Sequence, residues 1–133
     1  MTSPGFVHLR VHTEYSLVDS VVRVGPLIDA VERLGLPAVA VTDLGNVSAL
    51  VKFYKAAIGR GIKPIVGADV WTAPARDADD AYRMTLLCID ERGFKNLSRL
   101  LTAGYAEAQS HGRALLLDEW LTRESLDGLI ALS

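Results

Sequence analysis

The sequence is short of sulfur and of any excess of charge, and each shortage excludes something. Cys88 is the single cysteine among 133 residues, so no internal disulfide can form. Its position inside the apolar run 84–89 marks it as a buried, inert thiol of a reducing compartment. Fourteen Lys and Arg stand against 16 Asp and Glu, giving a formal charge of -2 and a pI near 5.9. That balance disfavours a basic nucleic-acid-binding module; any DNA contact must be local or made by another part of a larger protein. No basic leader precedes an apolar core, and no run of about 18 apolar residues is present, so the sequence predicts neither a signal peptide nor a membrane span. A cytoplasmic location is the resulting expectation.

What the chain does have is apolar residues, half of the total, enough to bury a core within one domain. They fall into alternating strand and helix patterns. Residues 6–12 read as a strand that puts Arg10 and His12 on one face, because side chains two apart point the same way. The turn after it carries Glu14, Ser16 and Asp19. Gly25 and Pro26 open a helix with Leu27, Ile28, Val31 and Leu34 at helical spacing, and Gly35 supplies its stop. The near-continuous apolar run 37–42 suits a parallel strand covered on both faces, and it ends at Asp43. Asn46 is placed to cap a second helix carrying Val47, Leu50, Val51, Tyr54 and Ile58. Residues 62–71 predict the next strand or strand pair, 74–80 a surface loop, and 83–89 a third buried strand. Phe94, Leu97, Leu101 and Tyr105 mark a long third helix, and 129–132 a last apolar strand.

Strands alternating with helices predict an α/β architecture with mostly parallel strands and right-handed crossovers. In such a fold the carboxyl ends of the strands converge on one mouth. Arg10 and His12, then Asp43 and Leu44, then Asp69, then Arg83 arrive there, with Asp19 coming in on the turn. Guanidinium has no lone pair to give a metal, and leucine has no donor at all. His12 and Asp19 offer at most one weak divalent site; the plainer expectation for His12 is a hydrogen-bonded pocket histidine.

The segment 6–19, Phe-Val-His-Leu-Arg-Val-His-Thr-Glu-Tyr-Ser-Leu-Val-Asp, resembles the opening of the PHP (polymerase and histidinol phosphatase) domains at the N-terminus of bacterial replicative DNA polymerase III alpha subunits. Further segments are similar in order and spacing: 39–46 around Asp43 and Leu44, 63–70 ending in Asp69 and Val70, 83–88, and Gly93-Phe94-Lys95-Asn96-Leu97. The resemblance spans residues 6–133. It implies a partial PHP-type (β/α) barrel, truncated at about half, with residues 1–133 the N-terminal portion of a single PHP domain that lacks palm, fingers and thumb. At the family's metal-ligand positions, Arg10, Leu44 and Arg83 stand where the resemblance places histidines, and Asp69 stands for a glutamate. His12, Asp19 and Asp43 remain.

The exchanges imply a degenerate pocket with no catalytic residue and no bound metal, in which Arg10 and Arg83 pair with carboxylates among Asp19, Asp43 and Asp69. Zn or Mn would enter only a competent pocket, and Mg belongs to the palm of the parent polymerase, which is the nucleotidyltransferase. The implied role is structural, with a docking surface for the proofreading exonuclease subunit. The implied partners are that subunit and the rest of the alpha chain, with DNA reached only through the parent and no membrane. An exposed sheet edge would permit self-association. The competing reading is a metal-dependent PHP phosphoesterase or exonuclease, which the three lost ligands weigh against.

Overall fold

A computed structural model describes residues 5–133. Its elements in chain order are α1 (Val24–Arg33), β1 (Ala38–Val41), α2 (Leu50–Gly59), β2 (Lys63–Ala73), β3 (Tyr82–Cys88), α3 (Glu91–Glu107), β4 (Gln109–Ser110), β5 (Arg113–Leu117) and β6 (Leu129–Leu132). Single 3-10 turns cover Glu14–Ser16 and Asp118–Trp120. The long strand β2 organises the sheet: its first half pairs in parallel with β1, and its second half lies between β3 and β5.

The architecture is α/β, as expected, but the expectation of mostly parallel strands is overturned. β2 with β3, β3 with β6 and β4 with β5 are antiparallel, whereas β1 with β2 and β2 with β5 are parallel. The reason lies in the connection 74–81, which holds no helix and is shorter than the dozen or so residues a parallel crossover needs. It closes a hairpin, with Thr72 opposite Tyr82 and Asp69 opposite Thr85. A hairpin contributes no helix to the outer layer. Over the first half of β2, between α2 and the start of α3, a cavity of about 700 Å³ is lined by Val51, Tyr54, Pro64, Val66, Ile89 and Phe94, among others.

The opening segment also differs from its expected strand. Residues 6–12 run extended beside β1 but bridge it only at His8 and Val39, through Ala40 N to His8 O at 2.9 Å, followed by Thr42 N to Val11 O at 2.8 Å. Beyond Val11 the backbone turns away because the Thr13 N–H is taken by the Asp43 carboxylate. Asn46 is not the cap of α2, which starts four residues later; its Oδ1 accepts from Ser48 N, and its amide donates to Tyr15 O.

Two apolar clusters hold the helices to the sheet. Val24, Ile28 and Val31 of α1 and Phe53 of α2 close over Val39 and Val41 of β1. Leu97, Leu100 and Leu101 of α3 close over Ala68, Val70, Leu86 and Leu116. Asp90 starts α3 by accepting from Gly93 N at 2.9 Å, satisfying one of the free donors of the first turn. At Gly93 the helix passes so close to Gly128 that an added Cβ would stand 1.9 Å from the Gly128 carbonyl oxygen. Gly93→Ala is expected to cost about 2 kcal/mol or more through this backbone clash, read as a fall in the urea midpoint at unchanged slope. A neutral outcome would mean that the contact between α3 and residue 128 is loose.

Since side chains alternate along a strand, the residues of β2 and β3 between those facing α3 all point to the other side. Asp69 and Trp71 share that helix-free face with Arg83 and Thr85, and the candidate site is built there.

Candidate functional site

The loop after β1 folds back onto β2. Asp69 N donates to Asp43 O at 3.1 Å and Gly45 N donates to Asp69 O at 2.8 Å, so that Leu44 bridges Asp69 in parallel register. Tyr105 of α3 fixes the loop from outside, its hydroxyl donating to Gly45 O at 2.9 Å. These backbone bonds place the two buried carboxylates, Asp43 at 1 % exposure and Asp69 at 0 %, on neighbouring elements.

Asp43 is consumed by the opening turn. It accepts from Thr13 N at 2.6 Å, from Thr13 Oγ1 at 2.8 Å and from Ser16 Oγ at 2.8 Å, while Ser16 Oγ in turn accepts from Leu44 N. Three donors on one buried carboxylate satisfy it without a cation. Asp43 is therefore the pin that holds residues 13–16 against the end of β1.

Asp69 gathers the remaining site residues. Arg10 Nε donates to its Oδ2 at 2.6 Å, His12 Nε2 meets the same oxygen at 2.5 Å, and Thr85 Oγ1 donates to Oδ1 at 2.5 Å. On the other side of the imidazole, Nδ1 of His12 meets Asp19 Oδ2 at 2.5 Å. Both ring nitrogens of His12 are thus taken up by carboxylate oxygens, Nδ1 by Asp19 and Nε2 by Asp69. Arg10 is half exposed, 52 % for its side chain, whereas Asp69 is fully enclosed.

Of the expected partners, Arg10, His12, Asp19 and Asp69 come together, with Leu44 beside them and Asp43 turned to Thr13 and Ser16. Arg83 joins no carboxylate among the described residues. Its guanidinium lies over the Trp71 ring at 4.8 Å from the centroid, one side-chain pair further along the hairpin than Thr85. The expected pairing of Arg83 with an aspartate is corrected accordingly: register puts Thr85, not Arg83, opposite Asp69. Thr13 and Thr85 are the neighbours that sequence reasoning missed, and Ser16, named in the turn, was not expected to reach Asp43. Thr85 could have been suspected from its two-residue spacing to Arg83, but only the register of the hairpin selects it.

The donor set does not fit a metal cluster. Both oxygens of Asp69, both of Asp43 and both nitrogens of His12 are engaged by donors or by carboxylates, and the neighbours are a guanidinium and a leucine. Among the described residues no group of three or more His, Cys, Asp or Glu is placed to hold a metal ion. The 700 Å³ cavity lies on the helical side, and none of its lining residues belongs to the Asp69 cluster. Cys88, which lines it, is half buried, and burial together with the nearby Asp90 charge pushes its thiol up to about 11, so it stays protonated near neutral pH.

Comparison with known families gives a match to the PHP domain over residues 8–133. The chain belongs to the PHP domain family. Within it, the chain is 52 % identical over 128 residues to the DNA polymerase III subunit alpha of Pseudomonas aeruginosa, which covers 96 % of this chain and 11 % of that protein. It is 41 % identical over 133 residues to the DNA polymerase III subunit alpha of Escherichia coli, all of this chain and 11 % of that one. The chain thus spans about a tenth of the length of the relatives it matches, aligning with their N-terminal PHP region. Among solved structures it is similar to an amidohydrolase from Chromobacterium violaceum, with a TM-score of 0.59 and 22 % identity over 74 % of this chain and 32 % of that one. That likeness concerns the PHP fold alone. Among the described residues no helix is long and apolar enough to cross a membrane.

Proposed function

We propose that this PHP region is a non-catalytic part of a DNA polymerase III alpha subunit, residues 1–133 forming the N-terminal portion of its PHP domain. In this reading it stabilises the polymerase chain and offers a docking surface to the proofreading exonuclease subunit. Nucleotide transfer belongs to parts of the polymerase outside this chain. The observation that carries the non-catalytic reading is the Asp69 cluster, where Arg10 and Thr85 hold the carboxylate that a metal would need. A phosphoesterase needs donors free to bind metal and so lower the pKa of a water, and these donors are spent on one another.

The docking part is supported by the loop that carries Asp19. Leu17, Val18 and Val21 stand 79 %, 100 % and 91 % exposed beside the cluster, apolar side chains held in solvent at its rim. Leu17 sits at φ 66°, a conformation that branched side chains seldom adopt, so the loop holds its apolar tip outward against local preference.

Two measurements test the proposal. The purified chain supplied with Mn or Zn is expected to hold under about 0.1 equivalent of metal and to leave p-nitrophenyl phosphate and single-stranded DNA intact. Chelator-sensitive turnover would restore the enzyme reading. In the second, the exonuclease subunit is expected to bind the chain, and Val18→Asp with Val21→Asp to weaken binding about tenfold or more; equal binding by the variant would remove the loop from the interface.

A further inference from the structure

Residues 17–21 have nothing apolar to lean on. Val18 is fully exposed, Leu17 and Val21 largely so, and among the described residues none of the segment joins an apolar cluster. Leu17 also sits at φ 66°, so the backbone here is held against its own preference. An exposed segment of this kind keeps one conformation only where polar contacts fix it. Among the described residues two side-chain contacts tie it back to the chain before it, and both end on His12. Asp19 Oδ2 meets Nδ1 of the ring at 2.5 Å, and Ser20 Oγ donates to the His12 carbonyl at 2.7 Å. The base of the loop is closed by Glu14 N donating to Val22 O at 2.7 Å, Leu17 N to Glu14 O at 3.0 Å and Val22 N to Ser20 Oγ at 3.1 Å.

We propose that Asp19 and His12 are positioning residues that lock the loop 17–22 to the enclosed Asp69 cluster. His12 is fixed from the side opposite Asp19: its Nε2 meets Asp69, which also accepts from Arg10 and Thr85, so the ring cannot turn from Asp19 without leaving Asp69. Arg10 offsets the charge of Asp69, and the enclosed acid serves as a fixed anchor without an ion. The function of the lock rests on the docking role given above to Leu17, Val18 and Val21. A partner that meets these side chains in a loop already ordered does not have to order it on binding, and gains affinity by that amount. Binding at the loop and integrity of the cluster are then linked in both directions.

The test is amide hydrogen exchange of the full chain, read at Glu14, Leu17 and Val22, whose N–H groups close the loop. Asp19→Ala is expected to speed exchange at these three about fivefold or more. Ala40 and Asp69, whose N–H groups donate to His8 O and Asp43 O, should change by less than about twofold, with the urea midpoint little moved. Asp19→Asn, which keeps a polar group facing Nδ1, should fall between, and Asp79→Ala, an exposed acid of the hairpin loop, should match the parent. In parallel, the exonuclease subunit is expected to bind Asp19→Ala about threefold or more weakly than the parent. Unchanged exchange at the three amides in Asp19→Ala overturns the lock whether or not the subunit binds, and so does an equal rise at Ala40 and Asp69. Faster exchange confined to the loop, in a chain whose parent form does not bind the subunit, upholds the lock and removes the docking role. Faster exchange with undiminished binding overturns the link between the two.

Discussion

Asp69→Ala is expected to destabilise this domain by about 3 kcal/mol or more, the largest loss for any single side chain of the site. Asp69 is fully enclosed and is the shared partner of Arg10, His12 and Thr85, so its removal leaves a guanidinium, an imidazole nitrogen and a hydroxyl without it. The loss falls toward the low end for a buried ion pair because Arg10, half exposed, can recover water on its free side. Asp69→Asn is expected to be costly as well: its oxygen can still accept from Thr85, but its amide hydrogens then point at the Arg10 guanidinium, which can only donate. Arg10→Ala should be milder, about 1–2 kcal/mol, since Asp69 keeps His12 and Thr85. Urea unfolding of the three variants checks the order, and in melting the alanine variant should fall by roughly 10 °C or more. A loss below about 1 kcal/mol for Asp69→Ala would mean that water already serves these groups.

That ordering could not have been written from the sequence, although its participants could. Arg10, His12, Asp19 and Asp69 were legible because strand alternation and a shared carboxyl end are local properties of short apolar runs. The helices were legible for a similar reason, with Ile28 and Val31, or Leu97 and Leu101, repeating at the period of a buried face. What was not legible is pairing. Nothing in residues 74–81 states that the chain turns straight back, and that single connection makes β3 antiparallel, omits a helix and decides that Thr85 faces Asp69. One register step of two residues separates the expected Arg83 contact from the observed stack on Trp71. The Asp43 pin was hidden in the same way, because Thr13 and Ser16 lie about 30 residues from it in sequence and meet it only through the loop that bridges Leu44 to Asp69.

If the cluster lacks metal only for want of electron donors, supplying them should bring the metal back. The variant carrying Arg10→His, Leu44→His and Asp69→Glu is expected to rise from under about 0.1 to about one equivalent of Zn, read by metal analysis after dialysis. Position 10 already touches residue 69, and the parallel bridge between Leu44 and Asp69 sets position 44 beside it, so both new imidazoles arrive next to His12 on backbone that is already fixed. Removing the guanidinium also frees the carboxylate it now holds and takes one positive charge away from the incoming ion. Without metal, the triple variant should be less stable than the parent, for the reasons that make Asp69 sensitive; with saturating Zn, its melting temperature should climb by several degrees through mass action, while the parent's stays put. Adding Arg83→His is expected to change Zn content by less than about a fifth, because that side chain lies over Trp71 and Thr85 occupies the place opposite residue 69. A fourfold variant that binds Zn where the triple variant does not would show instead that position 83 can swing to the cluster, and would return it to the pocket.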